Sequence, residues 1–325
     1  MRAYDFAAPR SVRSALDKAD AGSAYLAGGT TLVDLMKLEV MTPSRVVDIN
    51  RLPLRGVSLD REGLHIGALD RMSDVAEHRL VRTHYPVISR ALELGASPQL
   101  RNMASIGGNL LQRSRCGYFR DLSTPCNKRE PGSGCTALEG QNRTHAILGT
   151  SDACVATHPS DLAVALIALD AAVHLNGSGG PRTVPLADFY LLPGQTPHLE
   201  NTLRPGELIT GITVPALRWA VNSTYLKIRD RASYEFGLTS AAVALNVRGT
   251  TIVEARVAVG GVGTRPWRLH AVEHALAGRP LTAATYEQAA EHATDGARPL
   301  RHNAFKIPLL RRTLVRALTE LGDAR

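Results

Sequence analysis

Leu26-Ala-Gly-Gly-Thr-Thr-Leu-Val33 places two glycines and two hydroxyls between a short apolar run and an amphipathic one. The run at 24–27 reads as a strand, and the one carrying Leu32, Val33, Leu35, Met36 and Leu38 reads as a helix, so the glycines fall at a strand-to-helix turn. Backbone N–H groups at such a turn converge on an anion, and glycine lets the chain approach a ligand or adopt positive φ. A diphosphate suits that nest, with Thr30 and Thr31 adding donors. The same residues also suit an ordinary capped helix start, and no G-x-G-x-x-G pattern occurs in the chain. Outward from the turn, Val12, Ala15, Leu16 and Ala19 predict a helix and 46–49 the next strand, giving a compact strand-helix-strand unit. A turn at Glu62-Gly63 predicts a hairpin of 57–59 with 64–66, and 87–94 reads as a helix stopped by Gly95.

A second cluster, Gln99-Leu-Arg-Asn-Met-Ala-Ser-Ile-Gly-Gly-Asn109, again joins a glycine pair to hydroxyl and amide donors. Two separated glycine loops suit one long ligand such as FAD. From 97 to 157 periodicity is lost, and this loop-rich stretch holds all four cysteines: Cys116, Cys126, Cys135 and Cys154. Four thiolates can complete a 4Fe-4S cluster, bind zinc or form two disulfides. The absence of any C-x-x-C pair weakens the zinc reading. Arg113, Arg115, Arg120, Lys128, Arg129 and Arg143 outnumber Asp121, Glu130 and Glu139 there, and a net-positive loop suits an anionic cluster.

Ala27-Gly-Gly-Thr-Thr31, Arg101-Asn-Met-Ala-Ser-Ile-Gly-Gly-Asn109 and His158-Pro-Ser-Asp-Leu162 resemble the flavin subunits of the xanthine dehydrogenase and molybdenum hydroxylase family. Arg115-Cys-Gly-Tyr-Phe-Arg120, Pro125-Cys-Asn-Lys128, Gly134-Cys135 and His145-Ala-Ile-Leu-Gly149 resemble its cluster-bearing branch, the flavin subunits of bacterial periplasmic aldehyde oxidoreductases. The resemblance implies an α+β chain with a two-lobed FAD-binding domain of the vanillyl-alcohol-oxidase (PCMH) type at 1–218. That domain would carry a 4Fe-4S loop insertion at about 113–158, and a smaller α+β domain like that of CO dehydrogenase flavoproteins would follow at 219–325. By likeness, Leu26, Ala27, Gly28, Gly29, Thr30, Thr31, Leu32, Val33 and Asp34 hold the FAD diphosphate, with Ser105, Gly108 and Asn109 on its other face. Asp161 takes ribityl or ribose hydroxyls, Lys227 and Tyr234 approach the isoalloxazine, and the four cysteines ligate the cluster. Asp161 also reads as a first-turn carboxylate after a Ser160 cap, and Tyr234 as a core aromatic.

The implied function is electron transfer. A large subunit with a molybdenum cofactor would oxidise the aldehyde, and a small subunit with two 2Fe-2S clusters would pass electrons to this FAD in a heterotrimer or dimer of heterotrimers. The chain contains no paired carboxylates, Ser-His-Asp set or metal-protease pattern for substrate chemistry of its own. Rival readings are a stand-alone flavin oxidase, the flavin subunit of an aromatic acyl-CoA reductase with inward electron flow, and a non-enzymatic zinc or disulfide scaffold.

Composition bounds these readings. The 325 residues, 44% hydrophobic and 21% charged, suffice for two cores. A net charge of +8 invites nucleic acid, yet only five of the 38 basic residues are lysines and the arginines are scattered, so no nucleic-acid partner is expected. Arg298, Arg301, Lys306, Arg311, Arg312 and Arg316 read as the solvated face of a terminal helix. The longest apolar stretch, 162–175, is broken by Asp170 and His174, so no membrane insertion is expected. No signal peptide is read at the N-terminus; the chain is expected in the cytoplasm, or in the periplasm by co-export with a signal-bearing partner. In the second half, 160–170 reads as a helix, and 172–175, 209–214, 225–228, 241–247 and 252–259 as strands. Helices are expected to start near Leu269, Ala283 and Ile307, with a boundary at 215–222.

Overall fold

The computed structural model describes residues 1–323. Its first sheet is parallel, with β1 (Asp5–Ala7), β2 (Ser23–Leu26) and β3 (Arg45–Asp48) in the order β1-β3-β2. Parallel neighbours need crossovers, which the helices Val12–Asp17 and Leu32–Lys37 supply. The glycine turn therefore lies at the carboxyl end of β2, where α/β sheets bind ligands.

The second sheet is antiparallel: β4 (Val57–Leu59), β5 (Gly63–Gly67), β6 (Ala172–Gly177), β7 (Gly180–Pro185) and β8 (Leu208–Pro215), in the order β4-β5-β8-β6-β7. Its apolar face and the helices Pro86–Leu94 and Asp161–Ala168 share the largest core. Every residue from Leu162 to Ala168 is buried. The reason is position, since this helix packs against both the helix Pro86–Leu94 and the third sheet. That third sheet runs β12-β11-β10-β9, with β9 (Ser223–Ile228), β10 (Thr239–Arg248), β11 (Thr251–Gly260) and β12 (Trp267–Arg268) antiparallel. Helices His270–Leu276, Ala283–Ala290 and Lys306–Asp323 share its second core.

Several local expectations are corrected. The stretch 97–157 is not uniformly irregular, because Pro98–Met103, Ile106–Leu110 and Gly117–Arg120 are short helices, the first two capped by Ser97 and Ser105. Each is too short to show apolar periodicity. The strand Gly180–Pro185 was hidden by its Gly-Pro start and terminal proline, which an edge strand tolerates. Gly95 ends its helix in extended geometry, and the left-handed residue is Ala96, at φ 50°. The hairpin turn is Asp60-Arg-Glu62, closed by the Asp60 carboxylate accepting from the N–H groups of Glu62 and Gly63.

Lys306 departs most from the sequence reading. It is fully buried rather than on a solvated face, and its ammonium donates to the carbonyls of Thr144 (3.0 Å), His145 (2.9 Å) and Gly261 (2.6 Å). Burial lowers its pKa to about 7. Asn303, also fully buried, donates to the carbonyls of His145 and Ala146, and Asn142 accepts from the His302 N–H. The start of the terminal helix is thus bolted to the cysteine-bearing loop.

Candidate functional site

The two glycine clusters meet. A Cβ at Gly28 would lie 2.8 Å from the Met103 carbonyl carbon and 2.9 Å from Ala104 Cα, closer still to the Met103 oxygen, so only glycine lets the loops touch. Gly29 follows at φ 74°. Asn50 ties the first loop down by donating to the carbonyl of Ala27 at 2.8 Å, and Arg71 braces both sides by donating to Asn50 Oδ1 (3.1 Å) and the Met103 carbonyl. Neither residue stood out in the sequence, because their partners lie far along the chain.

Beyond the loops opens a cavity of about 600 Å³, within the range of cofactor sites. Its walls include Thr30, Thr31, Asp34, Gly108, Asn109, Asp161 and Tyr234, so seven of the expected residues come together. Leu26, Ala27, Gly28, Gly29, Leu32 and Val33 build the turn behind them without lining it. Ser105 and Lys227 do not line it either. The Ser105 hydroxyl is spent as a cap, accepting from Gly108 N at 3.1 Å. The Lys227 ammonium donates to Asp161 Oδ2 (2.8 Å) and the Leu94 carbonyl (3.1 Å), which makes it the support of Asp161.

Asp161 opens the central helix, after a true Ser160 cap, and its other oxygen accepts from the Tyr225 hydroxyl at 2.8 Å. Burial and this carboxylate hold the Tyr225 phenol well above its usual range. With the lysine side chain 1% exposed, Lys227→Met should leave Asp161 half-paired and cost about 3–5 kcal/mol. Denaturant midpoints will read that loss, and pairing the change with Asp161→Asn should recover part of it.

Asp34 is not a free carboxylate. Arg120 grips both its oxygens at 2.8 and 3.0 Å and Arg115 reaches it at 3.4 Å, which holds its pKa below the usual range, the Arg120 hydrogen bond first among the causes. Both guanidiniums line the cavity, and Arg115 also reaches Thr31 Oγ1. Two of the arginines that the sequence suggested for an anionic cluster, Arg115 and Arg120, thus face the ligand cavity instead. Tyr234 stands at the rim rather than in a core, 57% exposed, at φ 53°, with the Arg231 guanidinium 5.4 Å above its ring.

A second cavity, about 200 Å³, adjoins the first and shares Arg115, Pro159, Asp161, Glu235 and Phe236 with it. Its far wall carries Cys116, His145, Gly260 and Gly261. Behind Cys116 lies a small void lined by all four cysteines with Phe119, Lys128 and Ala153. The thiols form no disulfide, and Cys126 and Cys154 are buried. Burial pushes the Cys116 thiol up to about 11 and raises Cys135 and Cys154, while backbone N–H groups of Tyr118 and Phe119 at Cys116, of Ala137, Val155 and Leu138 at Cys135, and of Ala156 at Cys154 oppose that rise. Such donors favour thiolate. No group of His, Cys, Asp and Glu among the described residues is arranged to hold a single metal ion.

His158, of the motif His158-Pro-Ser-Asp-Leu162, packs its ring on Tyr190 at 4.6 Å, accepts from Ser160 N through Nδ1, and is faced by Lys128 and Glu200. Burial lowers its pKa from 6.5 to about 4. The unfolded chain takes up this proton first, so stability should be intact above pH 6.5 and fall as the pH drops toward 4. Melting temperatures between pH 7.5 and 4.5 will show a shallower decline in His158→Gln than in the parent.

Residues 2–217 match the family described as the FAD binding domain in molybdopterin dehydrogenase, and residues 224–321 the CO dehydrogenase flavoprotein C-terminal domain. The chain is 49% identical over 305 residues to the aldehyde oxidoreductase FAD-binding subunit PaoB of Escherichia coli (strain K12), covering 92% of this chain and 91% of that one. It is 30% identical to the glyceraldehyde dehydrogenase medium chain of Sulfolobus acidocaldarius, over 79% of this chain and 74% of that one. Among solved structures, a chain of carbon monoxide dehydrogenase from Hydrogenophaga pseudoflava superposes with a TM-score of 0.76 at 26% identity, over 99% and 98% of the two chains. No helix among the described residues is long and apolar enough to cross a membrane.

Proposed function

Because the chain belongs to the FAD-binding subunits of the molybdenum hydroxylase family, we propose that it serves an aldehyde-oxidising member of that family as the subunit where electrons leave. It is an oxidoreductase subunit of the aldehyde oxidoreductase type, with the two-part fold of CO dehydrogenase medium chains. The observation that carries the proposal is the shared cavity of about 600 Å³ in which both glycine clusters, Asp161, Arg115 and Arg120 converge. Bound there, FAD would supply the two-electron carrier.

The chain's own residues divide the binding work. Thr30, Thr31, Arg115 and Arg120 neutralise the diphosphate, the turn from Leu26 to Val33 gives it backbone donors, and Gly108 and Asn109 close its other face. Asp161, fixed by Lys227 and Tyr225, takes sugar or ribityl hydroxyls. Tyr234 shields the ring end at the rim. Substrate oxidation belongs to a molybdenum-bearing large subunit, and a small 2Fe-2S subunit delivers the electrons.

Cys116, Cys126, Cys135 and Cys154 ligate one 4Fe-4S cluster, which would supply a one-electron centre. Four thiols free of disulfides around one void, with the Ala156 N–H donating to the Cys154 sulfur at 3.4 Å, are a donor set for thiolate ligands. A disulfide pair would need no such donors, and a zinc ion would need the sulfurs drawn to one point. Anaerobic purification of the whole complex, with FAD extracted and iron and sulfide assayed, tests both parts. About one FAD, and about four irons and four sulfides per chain beyond the small subunit's clusters, are expected. A complex with no flavin on this subunit would overturn the first part, and iron fully explained by the small subunit the second.

A further inference from the structure

Of the four cysteines, Cys116 alone lines both the thiol void and the cavity that adjoins the proposed FAD site. Its sulfur has one side-chain hydrogen-bond partner among the described residues, His145, whose Nε2 lies 3.2 Å away. The ring is buried, 5% exposed, and lines the same flavin-side cavity. Its other nitrogen, Nδ1, is buried and has no hydrogen-bond partner among the described residues.

That asymmetry assigns the proton. A neutral imidazole carries one N–H, and a buried donor without an acceptor is the costlier arrangement, so the N–H belongs on Nε2, where the Cys116 sulfur can accept it. A protonated ring would donate from Nε2 as well, so the direction of this bond does not depend on the charge of the ring.

The ring is also held in place. His145 N donates to the Asn142 carbonyl at 3.0 Å, and its own carbonyl accepts from Asn303 Nδ2 (3.2 Å) and Lys306 Nζ (2.9 Å). Tyr118 lies against it, ring centroids 6.3 Å apart. Four groups, one from its own loop, two from the start of the terminal helix and the Tyr118 ring, therefore fix a residue whose side chain has a cysteine sulfur as its one hydrogen-bond partner among the described residues.

From this geometry we infer that His145 is a positioning and tuning residue: it donates a hydrogen bond to Cys116, the thiolate at the flavin-facing edge of the cysteine site, and so raises the reduction potential there. A hydrogen bond withdraws charge from the thiolate and favours the extra electron of the reduced state. The inference rests on the cluster reading of the four cysteines.

The test uses the complete complex with wild type, His145→Leu and His145→Gln, each purified anaerobically. Iron and sulfide are counted, and this centre is titrated potentiometrically while its low-temperature EPR signal is followed. The leucine variant should keep its four irons yet show roughly a tenfold lower reduced-to-oxidised ratio at a given potential, equivalent to about 59 mV for a one-electron couple. Glutamine, which restores an N–H donor, should recover part of the shift. Unchanged potentials at full iron content would overturn the inference while leaving the cluster in place. Loss of iron in His145→Leu that His145→Gln does not recover would also overturn it, by assigning the ring to building the loop. Wild-type protein without this centre would remove the cluster reading and the inference together.

Discussion

Gly28→Ala protein should bind FAD about 100-fold more weakly and leave purification nearly colourless. The added methyl would sit against three backbone atoms of Met103 and Ala104, none of which can rotate away. One of the two loops must move, and forcing an extra carbon into a packed contact costs about 1–3 kcal/mol, the upper end applying where only backbone can yield. Since 1.4 kcal/mol is a factor of ten, that cost amounts to roughly two orders of magnitude in affinity. Gly179→Ala is the matched control, because a Cβ there meets only Arg204 Nη1, at 3.9 Å. Flavin absorbance and acid-extracted FAD per chain decide the matter, and a Gly28→Ala protein with stoichiometric FAD would remove the glycine turn from the cofactor site.

Serine at any one of Cys116, Cys126, Cys135 or Cys154 should remove most of the roughly four irons and four sulfides assigned to this chain. The flavin should suffer unequally. Cys116 immediately precedes the short helix Gly117–Arg120 and follows Arg115, and both arginines line the proposed FAD cavity and grip Asp34. Cys135 sits on the far hairpin, bridged to Cys126. Cys116→Ser should therefore lose substantially more FAD than Cys135→Ser at equal iron loss, read from cofactor ratios in the same preparations. Equal FAD retention in the two would mean that the cysteine loop does not brace the flavin cavity.

What the sequence disclosed follows a physical division. The strand-to-helix glycine turn and the Ser160 cap are local, and each was readable because its cause lies within a few residues. The clustering of the four cysteines was equally plain. The residues that complete the site act across long separations: Arg120 reaches back 86 positions to Asp34, and Lys227 reaches 66 to Asp161. No window of sequence contains such a pair. Lys306 was misplaced for a related reason, since a lysine on an amphipathic helix is assigned to water unless one knows that three carbonyls await it. Ser105 was misjudged in the opposite direction, because a hydroxyl beside glycines suits an anion as well as a cap, and only the 3.1 Å contact to Gly108 N decides.

The bolt between the terminal helix and the cysteine loop carries a consequence for biogenesis. Lys306 closes onto Thr144 across 162 positions. Translation proceeds from the N-terminus, so the cysteines leave the ribosome long before the lysine that fixes their loop. Until then the thiols lie on an unfinished surface. The proposed cluster, inserted at that stage, would sit exposed to oxygen and solvent, whereas insertion after Lys306 has closed meets a loop already clamped. For the proposed cluster, the place of Lys306 in the chain thereby sets an expected order of maturation: polypeptide first, iron and sulfide afterwards.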